Sequence, residues 1–279
     1  MSVVENKVVL EVADLRKVYP SPVRGGEPVV AVDSVSLEVL EGECLAVVGE
    51  SGSGKSTVAK CVVGLESPTV GALRVAGSAR LRAPRGRRER VRWASEAQYV
   101  FQDPYSSLNP RQNVEDVIGT SVAIHHPGLS PEERRRHVDG LLSDVGLGDG
   151  FAQRLPHELS GGQRQRVAIA RALASDPALL ILDEAVAALD VSIQAQILNL
   201  LADIREQRTI SYLFITHDLA VVNQIADRVI VMEQGRVVER GRTEDVLRSP
   251  QEEYTRTLLA AVPREGWTPR RRERLAASL

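Results

Sequence analysis

Four short apolar runs stand out between turn and helix signals: Cys44–Val48, 179–182, 212–215 and 229–232. Each has the length of a strand buried on both faces, the pattern of a parallel sheet covered by helices. Helical stretches follow two of them, 54–64 after the first and 193–206 after the second. Strand and helix in alternation predict crossover units and an α/β fold. The N-terminal stretches 8–18 and 29–40 alternate less regularly and are split by Pro20-Ser21-Pro22 and Gly25-Gly26. They predict antiparallel hairpin material attached to the main sheet.

Three segments depart from this alternation. Residues 80–92 hold seven Arg (80, 82, 85, 87, 88, 90 and 92) against one acid, Glu89, which reads as a solvated hairpin or helix face. A contact with lipid head groups is the sharper alternative, and nothing further in the sequence supports it. Residues 106–158 are polar and helix-like and predict an inserted helical subdomain. Residues 246–279 form a tail ending in Arg270-Arg271-Arg272-Glu273-Arg274, expected to be partly disordered.

Composition narrows the class of protein. The 279 residues include 35 basic and 37 acidic side chains, a net charge of −2, so a general nucleic-acid binder is not expected. Only four of the basic residues are Lys (7, 17, 55 and 60). No apolar run reaches the roughly 20 residues needed to span a bilayer. The N-terminus lacks the basic and apolar regions of a signal peptide, so a cytosolic chain is expected. Two cysteines, Cys44 and Cys61, form neither a disulfide framework nor a four-thiolate metal site.

The first apolar run leads into Gly49-Glu50-Ser51-Gly52-Ser53-Gly54-Lys55-Ser56, which fits the phosphate-binding pattern G-x-x-x-x-G-K-[ST]. Glycines let successive N–H groups turn inward toward phosphate oxygens, and the following helix adds its positive dipole end. Lys55 would neutralise the outer phosphates and the Ser56 hydroxyl would ligand Mg²⁺; Thr57 continues the site. The second run ends in Asp183-Glu184, and ligand sites of parallel sheets lie at strand carboxyl ends. Asp183 suits holding Mg²⁺, and Glu184 suits polarising an attacking water. Such acids also serve as plain helix caps, and the phosphate loop is what favours the chemical role. A second phosphate-type feature follows Leu159: Ser160-Gly161-Gly162-Gln163, with Ser160 as N-cap of a strong helix.

Leu159-Ser160-Gly161-Gly162-Gln163 resembles the signature of the ATP-binding cassette (ABC) transporter ATPases, and the likeness runs from about residue 8 to 262. The resemblance implies a P-loop NTPase (RecA-like) core with an antiparallel β subdomain and an inserted helical subdomain. It divides the chain into an ATPase domain at 1–245, with core 1–102 and 166–245 and helical subdomain 103–165, and a C-terminal extension at 246–279. It places Tyr19 as the adenine-stacking aromatic and Gln102 as the glutamine reaching metal and attacking water. Asp190 matches the aspartate of the loop crossing the dimer interface, and His217 the histidine at the γ-phosphate. Ser160 and Gly162 would touch nucleotide bound to a partner subunit, so hydrolysis implies a head-to-tail dimer. Glu184 is followed by Ala185-Val186-Ala187-Ala188 where the family commonly has Pro-Thr-Ser-Ala, and the hydroxyl missing at Ala187 removes a possible interface hydrogen bond. His125, His126, His137 and His157 show no metal-ligand spacing and receive no role.

Residues 101–111, 190–201 and 254–263 look like the peptide-importer group (dipeptide, oligopeptide and nickel), with Glu252-Glu253 in place of the usual His-Pro before Tyr254. The tail has no cysteine, so no iron–sulfur cluster is expected, as in the second ATPase of a heteromeric pair. The implied cofactors are ATP and Mg²⁺. The implied partners are two transmembrane permease subunits, a second ATPase subunit and an extracytoplasmic solute-binding protein, which puts the chain at the cytoplasmic face of the membrane. Residues 105–119 would dock a permease helix. Nickel chelates, glutathione and short sugars remain alternative cargoes. A soluble ABC ATPase acting on nucleic acid is the alternative outside transport, disfavoured by the single cassette and the absence of zinc cysteines.

Overall fold

The computed structural model describes residues 7–261 apart from Pro22 and Arg24; the predicted Arg-rich tail end lies outside the described residues. Strands β1 (Val8–Tyr19) and β2 (Val29–Leu40) form the expected antiparallel hairpin, running from Val8 opposite Leu40 to Tyr19 opposite Val29. The all-apolar β3 (Cys44–Val48) then leads through the phosphate loop into α1 (Lys55–Val63). Next come β4 (Val70–Val75), β5 (Ser78–Ala79), α2 (Gly86–Glu96) and β6 (Ala97–Val100). Helices α3 (Pro104–Ser107), α4 (Val114–His125), α5 (Pro131–Asp144) and α6 (Gly161–Leu173) follow. Strand β7 (Leu179–Asp183) precedes α7 (Val191–Arg208), β8 (Ser211–Thr216) and α8 (Leu219–Ile225). The described chain closes with β9 (Arg228–Glu233), β10 (Arg236–Arg242), α9 (Thr243–Arg248) and α10 (Glu253–Ala261).

The strands form two sheets, one of four in the order β2-β1-β4-β5 and one of six in the order β10-β9-β3-β8-β7-β6. The hairpin therefore belongs to a sheet of its own and is not an extension of the main one. Its residues Val9, Leu15 and Val35 share a core with Leu45 and Val47 of β3 and with Val58 and Val62 of α1. In the six-stranded sheet every pair is parallel except β9 with β10. Leu179 and Ile181 of β7 face that same core, while Leu180 and Leu182 face a second one made with helices α4 to α7. This is why the run reads as continuously apolar: both pleat faces are covered. Sequence patterning missed β6 and β10 because both are edge strands with polar positions, Gln98 in one and Arg236, Glu239 and Arg240 in the other.

The helical hairpin of α4 and α5 is stopped and started by local chemistry. Ser130 accepts from the Glu133 N–H at 3.3 Å while the Glu133 carboxylate accepts from the Ser130 N–H at 2.8 Å, a capping box ahead of Pro131. No helix among the described residues is long and apolar enough to cross a membrane. One expectation fails in the Arg-rich segment. Arg80 is 1% exposed. Its guanidinium donates to Val62 O at 2.6 Å and to Glu96 Oε2 at 2.9 Å, and lies over the Trp93 ring. The planar fork satisfies several acceptors at once, which makes the burial of this charge tolerable.

Candidate functional site

The loop from Gly49 to Ser56 owes its shape to two close approaches. A Cβ at Gly49 would lie 2.1 Å from Met232 O, and one at Gly54 would lie 2.4 Å from Ala31 O. Both glycines also have positive φ, so the backbone turns where a side chain is excluded. Gly54 caps α1 without any side-chain acceptor, which leaves the first N–H groups of that helix available to an anion. Lys55, 4% exposed, folds back onto the loop. Its Nζ donates to Gly49 O at 2.8 Å, Glu50 O at 2.7 Å and Ser53 Oγ at 3.3 Å. Burial pulls the Lys55 pKa below the ordinary lysine value, against the pull of Glu184, Asp183 and Glu50. Beside the loop lies a cavity of about 290 Å³ lined by Ala31, Ser51, Gly52, Gly54, Lys55, Ser56, Thr57 and Glu184.

Asp183 ends β7 against this loop. Ser56 Oγ donates to its Oδ1 at 3.0 Å, and the Tyr99 hydroxyl donates to its Oδ2. Tyr99 was not legible in the sequence as a site residue. It reaches Asp183 because β6 lies parallel to β7, with Tyr99 opposite Ile181. Burial, together with the carboxylate, raises the Tyr99 pKa, so the phenol stays a donor. Glu184 follows in a left-handed conformation at φ +48°, its N–H donating to Ile215 O at 2.9 Å. A non-glycine residue in that region carries strain that surrounding structure must hold. Gln102 Nε2 donates to Glu184 Oε2 at 2.7 Å, and His217 Nδ1 lies 3.4 Å from Oε1. A carboxylate contacted by an amide and an imidazole next to an anion-ready loop is chemically able to orient a water and accept its proton.

The remaining sequence-selected residues lie elsewhere. Ser160 caps α6, with its Oγ accepting from the Gln163 N–H and the Gln163 Oε1 accepting from the Ser160 N–H. A Cβ at Gly162 would sit 2.5 Å from Ile193 Cγ2, and one at Gly161 3.4 Å from Leu189 Cδ2. The glycines thus let the signature helix approach the segment around Asp190, which precedes α7 as its N-cap residue. Neither Ser160 to Gln163 nor Asp190 lines the cavity at the phosphate loop. Tyr19 ends β1, half-buried, with Lys17 Nζ 4.7 Å from its ring centre, and it does not line that cavity either.

His126 and His137, given no role by spacing, come together with Asp176, one ligand atom of each within 4.8 Å. Two of the three are already engaged: His126 Nε2 lies 3.1 Å from Ala174 O, and Arg208 donates to Asp176 Oδ1 at 2.9 Å. A further cleft of about 720 Å³ opens between α2, β6 and α4, with Trp93, Phe101, Val117 and Ile124 among its lining residues.

The sequence profile of the ABC transporter family matches residues 32–187. The chain is 43% identical over 255 residues to the oligopeptide transport ATP-binding protein OppF of Bacillus subtilis, covering 91% of this chain and 82% of that protein. It is 44% identical over 277 residues to the dipeptide transport ATP-binding protein DppF of Escherichia coli, covering 97% of this chain and 80% of that one. Among solved structures, the cassette MJ0796 in a dimeric post-hydrolysis state bound to ADP and Pi superimposes with a TM-score of 0.74 at 30% identity, covering 84% of this chain and 98% of that one.

Proposed function

The chain belongs to the ABC transporter family, as an ATPase of it, and from that premise we propose that it hydrolyses ATP in a head-to-tail dimer to drive import of di- or oligopeptides. The observation that carries the hydrolytic part is Glu184, held between Gln102 and His217 beside a loop whose lysine is already inside it. Glycine-loop N–H groups and Lys55 take the β- and γ-phosphates. Glu184 takes the proton of the attacking water, Gln102 and His217 keep the carboxylate aimed, and Tyr19 stacks on the adenine. Ser56, Asp183 and Gln102 would hold Mg²⁺; the adjoining Ser56 and Asp183 oxygens are the hard donors that suit this ion. When bound, Mg²⁺ would neutralise charge developing on the phosphates.

Ser160 to Gln163 and Asp190 are proposed to act on nucleotide bound by a partner ATPase. Their separation from the loop cavity of their own chain supports this, and so does the dimeric state of MJ0796. The ATPase unit is taken to be 1–245, with 103–165 as its helical part. The cleft lined by the exposed Phe101 includes Val117 of the segment 105–119, a segment in which Tyr105 is also exposed. This supports seating of a permease helix, which would hold the chain at the cytoplasmic face of the membrane. A second ATPase subunit and an extracytoplasmic binding protein complete the system. Peptide cargo rests on the named relatives. Purification of the tagged chain with its permeases, followed by peptide-stimulated ATP hydrolysis in vesicles, tests the reading. Stimulation by nickel chelates or glutathione in place of peptides would change the cargo, and recovery with nucleic acid and no permease would overturn it.

A further inference from the structure

Tyr254, picked out in the sequence only as part of a group resemblance, lies 204 positions from the phosphate loop yet touches it. Its hydroxyl accepts a hydrogen bond from the Glu50 N–H at 3.0 Å. The carbonyl of that same peptide unit, Gly49 O, accepts from Lys55 Nζ at 2.8 Å. A single peptide plane at the entry to the loop is therefore pinned at one end by the lysine and at the other by the C-terminal helix. Gly49, whose φ is +152°, leaves the plane little intrinsic resistance to rotation. Rotation would aim its carbonyl oxygen, an acceptor, into a cradle that works by presenting N–H donors.

The helix bearing Tyr254 is well fixed. Glu239 of β10 accepts from the Gln251 N–H at 2.8 Å and from the Glu252 N–H at 3.3 Å, just ahead of α10. Tyr254, Leu258 and Leu259 pack on the apolar group containing Val48, Val229 and Val231. The turn between β9 and β10 holds the loop as well, through Gly235 N–H donating to Ser53 O at 3.1 Å. The loop thus has a rear support built from the C-terminal part of the chain.

We propose that Tyr254 is a positioning residue for the nucleotide: its hydroxyl sets the Gly49–Glu50 peptide plane and thereby raises the affinity of the loop for ATP. When Lys55 leaves Gly49 O for a phosphate, that carbonyl loses its cationic partner, and Tyr254 is what then keeps the plane from turning. The proposal rests on residues 49–57 binding ATP phosphates.

The test compares ATP dissociation constants and melting temperatures of the full chain, by displacement of a fluorescent ATP analogue, in wild type, Tyr254→Phe, Leu258→Ala and Lys55→Ala. Tyr254→Phe keeps the ring and removes only the hydroxyl. It is expected to raise Kd about three- to tenfold, the range of one neutral hydrogen bond, with the melting temperature lowered by no more than about 2–4 °C. Leu258→Ala should lower the melting temperature with Kd unchanged. A wild-type Kd in Tyr254→Phe, or an equal rise in Leu258→Ala, overturns the proposal. Should Tyr254→Phe melt early, a Kd no higher than that of Leu258→Ala at matched stability also overturns it. Failure of wild type to bind ATP, or indifference of binding to Lys55→Ala, would instead remove the phosphate-loop reading beneath it.

Discussion

The Gln102 amide donates to one oxygen of Glu184 at 2.7 Å, while the His217 ring nitrogen stands 3.4 Å from the other. Replacing Glu184 by Gln keeps size and hydrogen-bonding reach but removes the proton acceptor. Turnover is expected to fall about a hundredfold or more while ATP still binds. Phosphate release and nucleotide binding, measured on the same preparation, check this. Near-normal turnover would move proton acceptance to another residue.

Gly162 faces Ile193 too closely for any side chain, with a Cβ due to land 2.5 Å from Ile193 Cγ2. Gly162→Ala should destabilise by about 1–3 kcal/mol through overpacking. Ile193→Ala removes the obstructing methyl, so the double variant should recover most of that loss relative to Ile193→Ala alone. Denaturant titration of the four proteins gives the coupling, and strict additivity would show that the clash is relieved elsewhere.

Arg80 and Arg88 share a segment and differ in surroundings. Arg80 is buried and paired with Glu96 at 2.9 Å, whereas Arg88 is exposed. Arg80→Ala leaves Glu96 without this partner and is expected to cost about 3–5 kcal/mol, against about 0.5 kcal/mol or less for Arg88→Ala. Equal losses in thermal or urea unfolding would mean that burial of the guanidinium is immaterial.

Burial pushes the Cys61 thiol up to about 11, partly offset by Lys17, and raises Cys44 also. The native protein should therefore resist alkylation at pH 8, where roughly a thousandth of Cys61 is thiolate, and both thiols should react once it is unfolded. Because the folded pKa lies above the unfolded value, the associated stability is complete below about pH 9 and is lost as pH rises toward 11. Rapid labelling of the folded chain at pH 8 would contradict the buried placement.

Much of the site was readable because its parts are short and contiguous. A loop from Gly49 to Ser56 must turn at its glycines wherever it occurs, and a run such as Leu179–Asp183 is apolar at each step because helices cover both faces of its sheet. Edge strands β6 and β10 carried no such mark, since each is paired on one side only and polar residues interrupt its apolar positions. Arg80 was misread with its neighbours: composition gives the same weight to a guanidinium in water and one bonded to Val62 and Glu96.

Local order in the chain thus determined the phosphate loop, the carboxylate pair, the signature helix and the α/β alternation, because each depends on spacing along a few residues. Only the tertiary structure decided which distant groups meet. Parallel pairing of β6 with β7 puts Tyr99 on Asp183 from 84 positions away, the strand order brings Gln102 to Glu184 across 82, and the packing of α10 carries Tyr254 to the Glu50 amide across 204. Such contacts are set by sheet register and core packing, and a side chain's identity does not encode the partner that packing will give it.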